Sequence, residues 1–421
     1  MEGLVQLIAA AALLPHCRFC GEVLRQSLVD LGATPLANAL LTPAQAAAGA
    51  DRAWPLHVRV CERCLLVQVD IVVPPAEIFS DYPYFSSVAS SWVAHAARFC
   101  DEVCARFGLD GRSRVVEIAS NDGYLLQHFV ARGVPVLGVE PAANVAAAAR
   151  ARGIATEIGF FDEAFAAGLA GRGMRADLVC ANNVLAHVPD IAGFARGIAR
   201  VLAPDGVASL EFPHLLRLIE GVQFDTIYHE HYAYLSLLVV ERVLARAGLR
   251  VFDVAPLATH GGSLRVFACH AGAAFAAEPG LAALRAEEAA AGLDRPDGYA
   301  GFAPRVAGVQ RGLRAFLAGA RAAGRRVAAY GAAAKGCTLL NTSGVTADDI
   351  VHVADRNPAK QGRLLPGCRL PVVAPEALWQ APPDDLLILP WNLADEITQE
   401  LAPLRAAGTL FWVAVPELRP V

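Results

Sequence analysis

Residues 113–142, SRVVEIASNDGYLLQHFVARGVPVLGVEPA, leave the chain few folds to choose from. An apolar strand containing Val115, Val116 and Ile118 enters a turn of small residues, then an amphipathic helix, then a second strand ending at Val139-Glu140. That is a βαβ unit, whose parallel strands require a crossover helix and a sheet covered on both faces. A dinucleotide fold would carry G-x-G-x-x-G at the first turn. Here the turn reads Glu117-Ile118-Ala119-Ser120-Asn121-Asp122-Gly123, an acidic residue followed by small ones. Further strands are expected at 176–182, running into a loop through Asn182 and His187, and at 206–213. Two more within 250–269, around ATHGGS, form a reversed hairpin that closes the sheet. Ligands of open α/β sheets bind beyond the carboxyl ends of the strands, so these loops should converge on one site.

The chain has 421 residues, more than one hydrophobic core normally serves, so two or three domains are expected. The boundaries fall near 1–80, 81–275 and 276–421. The first part holds Cys17-Arg-Phe-Cys20 and Cys61-Glu-Arg-Cys64. Two such turns can give four thiolates to one tetrahedral Zn²⁺, and four protein ligands make the site structural. The gap between them exceeds ordinary ribbon spacing and calls for a strand-rich insertion. Two unrelated pairs, or redox pairs at helix N-termini, are the competing readings. Nucleic acid is disfavoured: net charge is −5, and the Arg residues of 17–75 form no basic, aromatic-interleaved stripe. The opening MEGLVQLIAAAALLPH has no early Lys or Arg and is too short to span a membrane. It reads as a short helix or extension, and the expected location is the cytoplasm, with no membrane partner.

YHEHYAYLS, residues 228–236, follows the strand ending at Glu211-Phe-Pro213 and should hang over the converging loops. If it is helical, Tyr228 and His231 share a face. If it is extended, His229 and His231 do. It could serve as a base-bearing loop, a structural loop or a His-Glu-His metal site, and no third ligand cluster lies nearby to complete the last.

In the C-terminal third, Ala-, Arg- and Glu-rich helices lead to RRVAAYGAAAKGCTLLN, a second strand–turn–helix. Gly331-x-Ala333-x-x-Gly336 imitates a phosphate-binding turn, with Lys335 beside the helix N-terminus. The next strand ends at Asp355, and DDLLILPWN supplies a later strand with Asn392 in its edge loop. Taken alone, this lobe suggests a dinucleotide site or a packing domain.

The first turn resembles motif one of class I S-adenosylmethionine methyltransferases. Ala119 and Asn121 stand where that family has glycines, and Glu140 where its acid binds the ribose hydroxyls. EIASNDGYLL, YHEHYAYLS, HGGSLR and YGAAAKG follow the cysteine pairs in order, so nearly the whole chain resembles the NDP-4-keto-hexose C3-methyltransferases of deoxysugar biosynthesis. The resemblance implies an α/β fold: a class I, Rossmann-like methyltransferase domain between a small zinc-binding module and a second Rossmann-like domain. It implies that Glu117, Ala119, Ser120, Asn121, Gly123, Tyr124, Glu140, Pro141 and Asn182 hold S-adenosyl-L-methionine. His231 is implied as base, with Tyr228, Glu230, His187 and Tyr82 around the reacting sugar. His260, Gly261, Gly262, Ser263, Tyr330, Gly331, Lys335, Asp355 and Asn392 are implied to bind a nucleotide-linked 4-keto sugar. The protein would act as a monomer or homodimer. An O- or N-methyltransferase on a related nucleotide sugar, or a non-catalytic donor-binding protein, are the alternatives.

Overall fold

Three sheets organise the chain in the computed structural model, which describes residues 14–79 and 85–421. The N-terminal extension and Tyr82 therefore lie outside the described residues. Among those residues, no helix is long and apolar enough to cross a membrane.

The first sheet takes up the span between the cysteine pairs. Strands β1 (Gln26–Pro35) and β2 (Ala53–Val60) form an antiparallel pair, β3 (Val67–Val69) follows, and the fourth strand comes from far along the chain. Each knuckle closes on a left-handed residue: Gly21 at φ 76° after Cys20, and Leu65 at φ 63° after Cys64. The Gly21 and Leu65 amides donate back to the Cys17 and Cys61 carbonyls at 2.9 and 2.8 Å. The insertion required by the cysteine spacing is thus a hairpin.

The central sheet has seven strands. Parallel β4 (Val115–Ile118), β5 (Val136–Glu140), β6 (Thr156–Ile158), β7 (Ala176–Asn182) and β8 (Leu202–Pro213) lie in the order β6-β5-β4-β7-β8. Both faces are covered, as near-continuous apolar strands require: Val115 and Leu178 pack with the helix Ser90–Phe107, while Val116 and Val179 pack on the opposite face. On that second face the helix Ile191–Val201 buries Ile191, Phe194, Ala195, Ile198 and Val201, an i, i+3, i+4, i+7 stripe. Asp190 caps it, accepting from the Gly193 amide at 2.8 Å.

The fourth strand of the first sheet is β9 (Ala233–Tyr234), at the end of YHEHYAYLS, paired antiparallel with β3. The predicted reversed hairpin is β10 (Leu249–Leu257) and β11 (Ser263–His270), with β11 antiparallel to β8 at the sheet edge.

Helices Pro279–Ala290 and Phe302–Ala322 lead to the third sheet. It contains parallel β12 (Val327–Tyr330), β13 (Val353–Ala354), β14 (Val372–Val373), β15 (Asp385–Ile388) and β16 (Leu410–Val413), with antiparallel β17 (Arg419–Pro420) at one edge. The first and third parts touch directly. Leu41 and Leu364 exchange backbone hydrogen bonds at 3.0 and 2.8 Å, and Arg369 pairs with Asp51 at 2.6 Å.

Candidate active site

Beyond β4, β5, β6 and β7 lies a cavity of about 790 Å³, closed opposite by the third sheet and at one side by Asn38. Its floor is the turn after β4. Ala119 and Asn121 take φ values of 53° and 50°, the left-handed backbone expected of glycine. Asn tolerates it, whereas for Ala it costs about 1–2 kcal/mol. Glu140 holds the turn: its Oε2 accepts from the Asn121 amide and its Oε1 from the Ala142 amide, both at 2.9 Å.

The residues expected at the donor site divide in two. Ala119, Asn121, Tyr124, Glu140, Pro141 and Asn182 line the cavity. Ser120 turns away and packs over Gly138, where an added Cβ would come within 2.3 Å of its Oγ. Gly123 faces Ile154, which leaves no room for a Cβ. Glu117 is buried behind Tyr124, and burial pushes its carboxyl well above the usual range. These three shape the turn from behind. At the end of β7 the Oδ1 atoms of Asn182 and Asn183 are buried acceptors without a partner. Trp92, Phe160, Phe161, Asn183 and Lys360 also line the cavity and were missed from sequence. Only the aromatic pair after the third parallel strand offered a signal.

YHEHYAYLS adopts a turn, with the His231 amide donating to the Tyr228 carbonyl at 2.9 Å. Tyr228 and His231 therefore share a face, their ring centroids 4.2 Å apart, and the His187 ring lies 4.7 Å from His231. His231 Nδ1 donates to the Thr226 carbonyl at 2.8 Å and His187 Nδ1 to the Glu230 carbonyl at 2.7 Å. A carbonyl only accepts, so each ring keeps its lone pair on Nε2. Burial holds His187 down at about 4; burial, with His187 next, holds His231 well below the usual histidine range. Both are neutral imidazoles near pH 7. Tyr228 and His187 line the cavity, whereas His231, expected there from sequence, is buried and is not among the lining residues. His229 points elsewhere, donating Nε2 to the Trp54 and Pro55 carbonyls at 3.2 Å. Glu230 accepts from Asn38 at 2.6 Å, and burial raises it to about 7. The imidazoles and the carboxyl thus face different ways, and no His-Glu-His metal cluster forms: the one group suited to a metal among the described residues is the four cysteines.

On the opposite wall stand Ala333, Ala334, Lys335, Lys360, Pro390 and Asn392. Gly331, at φ 90°, is required because a Cβ there would meet Pro390 at 2.5 Å. Lys335 donates to Asn392 Oδ1 and the His260 carbonyl at 3.1 Å and lies 4.6 Å from the Trp391 ring centroid. Asp355 accepts from the Ala332 and Asn357 amides at 2.8 Å, so it braces the turn. Of HGGS only His260 reaches the cavity. Gly261 packs on Trp391, Gly262 on Arg217, and Ser263 Oγ donates to the Thr259 carbonyl at 3.1 Å. Tyr330 is buried with its hydroxyl toward Glu400, away from the cavity wall.

Beneath Trp92 lies an ionic cluster that sequence gave no reason to group. Glu211, fully buried in β8, pairs with Arg265 and accepts from His95 and Thr259 at 3.1 Å. Burial alone would raise the Glu211 carboxyl, but His95 and Arg265 outweigh it and hold it below the ordinary range. Removing one partner of such a pair strands a buried charge. Arg265→Met should therefore cost about 3–5 kcal/mol, read as a fall in the denaturation midpoint at unchanged slope.

The arrangement matches known proteins along most of its length. Residues 17–79 match a zinc binding domain, 92–254 a methyltransferase domain and 258–416 a C-methyltransferase C-terminal domain. The C-methyltransferase NovU of Streptomyces niveus is 38% identical over 406 residues, 96% of each chain. The chain belongs to the C-methyltransferase family. Solved structures similar to this C-methyltransferase include an S-adenosylmethionine-dependent methyltransferase from Clostridium acetobutylicum, at 12% identity and TM-score 0.35, covering 42% of this chain and 92% of that one. The glycopeptide N-methyltransferase MtfA, at 19% identity and TM-score 0.34, covers 42% of this chain and 96% of its own.

The C-methyltransferase uses S-adenosylmethionine and carries a zinc-binding module, and its residues fit both groups. The four cysteine sulfurs lie within 4.8 Å of one another. Zn²⁺ about 2.3 Å from each thiolate would set them about 3.8 Å apart. In the cavity the unpartnered Asn182 and Asn183 oxygens can accept from an ammonium group. Each Glu140 oxygen accepts only one backbone amide in the hydrogen bonds described above and has a second lone pair for a hydroxyl.

Proposed function

We propose that this enzyme methylates C3 of an NDP-4-keto-6-deoxyhexose, with His231 taking the C3 proton. The observation that supports the reading is the tethered imidazole pair, two neutral rings each fixed in one tautomer, with His187 on the cavity wall and the His231 ring 4.7 Å from it. Bound S-adenosylmethionine supplies an electrophilic methyl group. The carbon beside the keto group is weakly acidic, so a positioned base must accept its proton as the enolate forms. His231 Nε2 would receive that proton, and the electron pair left on C3 would bond to the methyl carbon as S-adenosylhomocysteine leaves with the pair of the methyl–sulfur bond. Burial weakens His231 as a base but keeps it unprotonated at the working pH. His187 and Tyr228 flank it and exclude water.

Asn182, with Asn183 beside it, suits the donor's ammonium group; Glu140 suits its ribose, and the half-exposed Phe160 offers a face to adenine. Lys335, Lys360 and the N-terminus of the helix Ala334–Thr342 suit the substrate's diphosphate. Lys335→Met should forfeit a charge-assisted contact worth about 1.5–3 kcal/mol, roughly 10- to 100-fold in KM for the sugar nucleotide. Initial rates at saturating donor read that change, with kcat the lesser effect.

The reading is tested by incubating the enzyme with a panel of 4-keto nucleotide sugars and following S-adenosylhomocysteine by chromatography. Parallel incubations in D₂O follow deuterium at C3. Methyl transfer to oxygen or nitrogen, or donor binding without turnover on any member, would remove it.

A further inference from the structure

Arg18 lies inside the first zinc knuckle, between Cys17 and Cys20, yet it reaches the catalytic loop. Its guanidinium donates through Nη1 to the Val69 carbonyl at 2.7 Å and through Nη2 to the Tyr232 carbonyl. The Val69 amide meets the same Tyr232 carbonyl at 3.2 Å. Behind Arg18, its amide donates to Gln68 Oε1 at 3.0 Å, and Gln68 Nε2 donates to Cys17 Sγ at 3.2 Å. Hydrogen bonds at both ends of Arg18 thus link a zinc-ligand sulfur, through the Gln68 side chain, to the carbonyl of the residue that follows His231. Among the described residues the Arg18 guanidinium bonds to carbonyls and pairs with no carboxylate. A half-buried cation bonded to carbonyls has a natural counterpart in a metal centre ligated by four thiolates.

Elsewhere the Tyr232 amide donates to the Ala186 carbonyl at 2.8 Å, and several loop carbonyls accept side-chain hydrogen bonds. Thr226 accepts from His231, Ile227 from Thr338 of the third domain at 3.0 Å, and Glu230 from His187. Tyr232, fully buried, also donates its hydroxyl to the Val73 carbonyl at 2.6 Å. The zinc module supplies the one guanidinium in this set.

We infer that Arg18 is a positioning residue for the methyl-transfer reaction: it fixes the Tyr232 carbonyl, and through it His231, to the zinc knuckle. The inference rests on the reading of His231 as the base. Outer partners of a reacting group are commonly worth on the order of 10- to 100-fold when removed. Arg18→Met should lower kcat by that factor, with KM for donor and sugar within about twofold and one equivalent of zinc retained. Amide hydrogen exchange should accelerate over residues 226–234 and not elsewhere in the methyltransferase domain. Arg18→Lys, which keeps one donor, should recover part of kcat and part of the protection.

Wild-type kcat and loop exchange in the zinc-loaded Arg18→Met variant would overturn the inference. So would loss of zinc in both variants together with the fall in kcat, because Arg18 would then only stabilise the knuckle. The loop-exchange readout holds whichever group removes the proton. Failure of the base reading is seen separately, as exchange at C3 that persists in a His231 variant.

Discussion

His231→Asn should reduce methyl transfer by about 10²–10⁴, the usual worth of a positioned base. C3 deuterium exchange without donor should fall by the same factor, while S-adenosylmethionine still binds with near wild-type affinity in a calorimeter. Asn retains a side-chain N–H for the Thr226 carbonyl, so loop geometry is preserved while the lone pair on Nε2 is lost. His187→Asn provides the internal comparison. If it abolishes exchange and His231→Asn does not, the roles of the two rings are reversed. The pH profile carries a matching signature. Only the neutral ring accepts a proton, so kcat should fall with decreasing pH through a value below the ordinary 6.5, since burial lowers the His231 pKa. A limb at or above 6.5 would contradict the burial of this ring.

Cys61→Ser should be the most damaging single change outside the cavity. Structural zinc in small modules contributes about 10–16 kcal/mol at pH 7, as much as whole domains possess in net stability. Elemental analysis should find the equivalent of zinc lost, and brief proteolysis should cut within residues 17–79. Methyl transfer should disappear as well, because β3 pairs with β9 and Asn38 holds Glu230. Full activity in a zinc-free preparation would show that the module is dispensable.

The fold was legible because its signals are local. Apolar runs at 115–118 and 176–182 mark doubly covered strands, the paired cysteines announce their metal, and ATHGGS marks the edge hairpin. The cavity wall was legible only in part, for two physical reasons. Neighbouring positions in a turn point opposite ways: Ala119 and Asn121 face the cavity while Ser120 packs on Gly138. HGGS divides similarly, with His260 facing the cavity and the two glycines admitting Trp391 and Arg217. The other reason is distance along the chain. Nothing local ties Asn38 to Glu230, or Glu211 to His95 and Arg265; only the folded sheets bring them together.

The two-residue strand β9 has a consequence for biosynthesis. About 165 residues separate Val69 on β3 from Tyr234 on β9, so ribosomes must add them before the first sheet gains its last strand. At 5–20 residues per second that is roughly 8–30 s, during which β3 is an uncovered edge open to pairing with other nascent chains. Overproduction in bacteria should therefore yield more intact enzyme when translation is slowed by cooling, with holdase chaperones shielding residues 67–69 until their partner arrives.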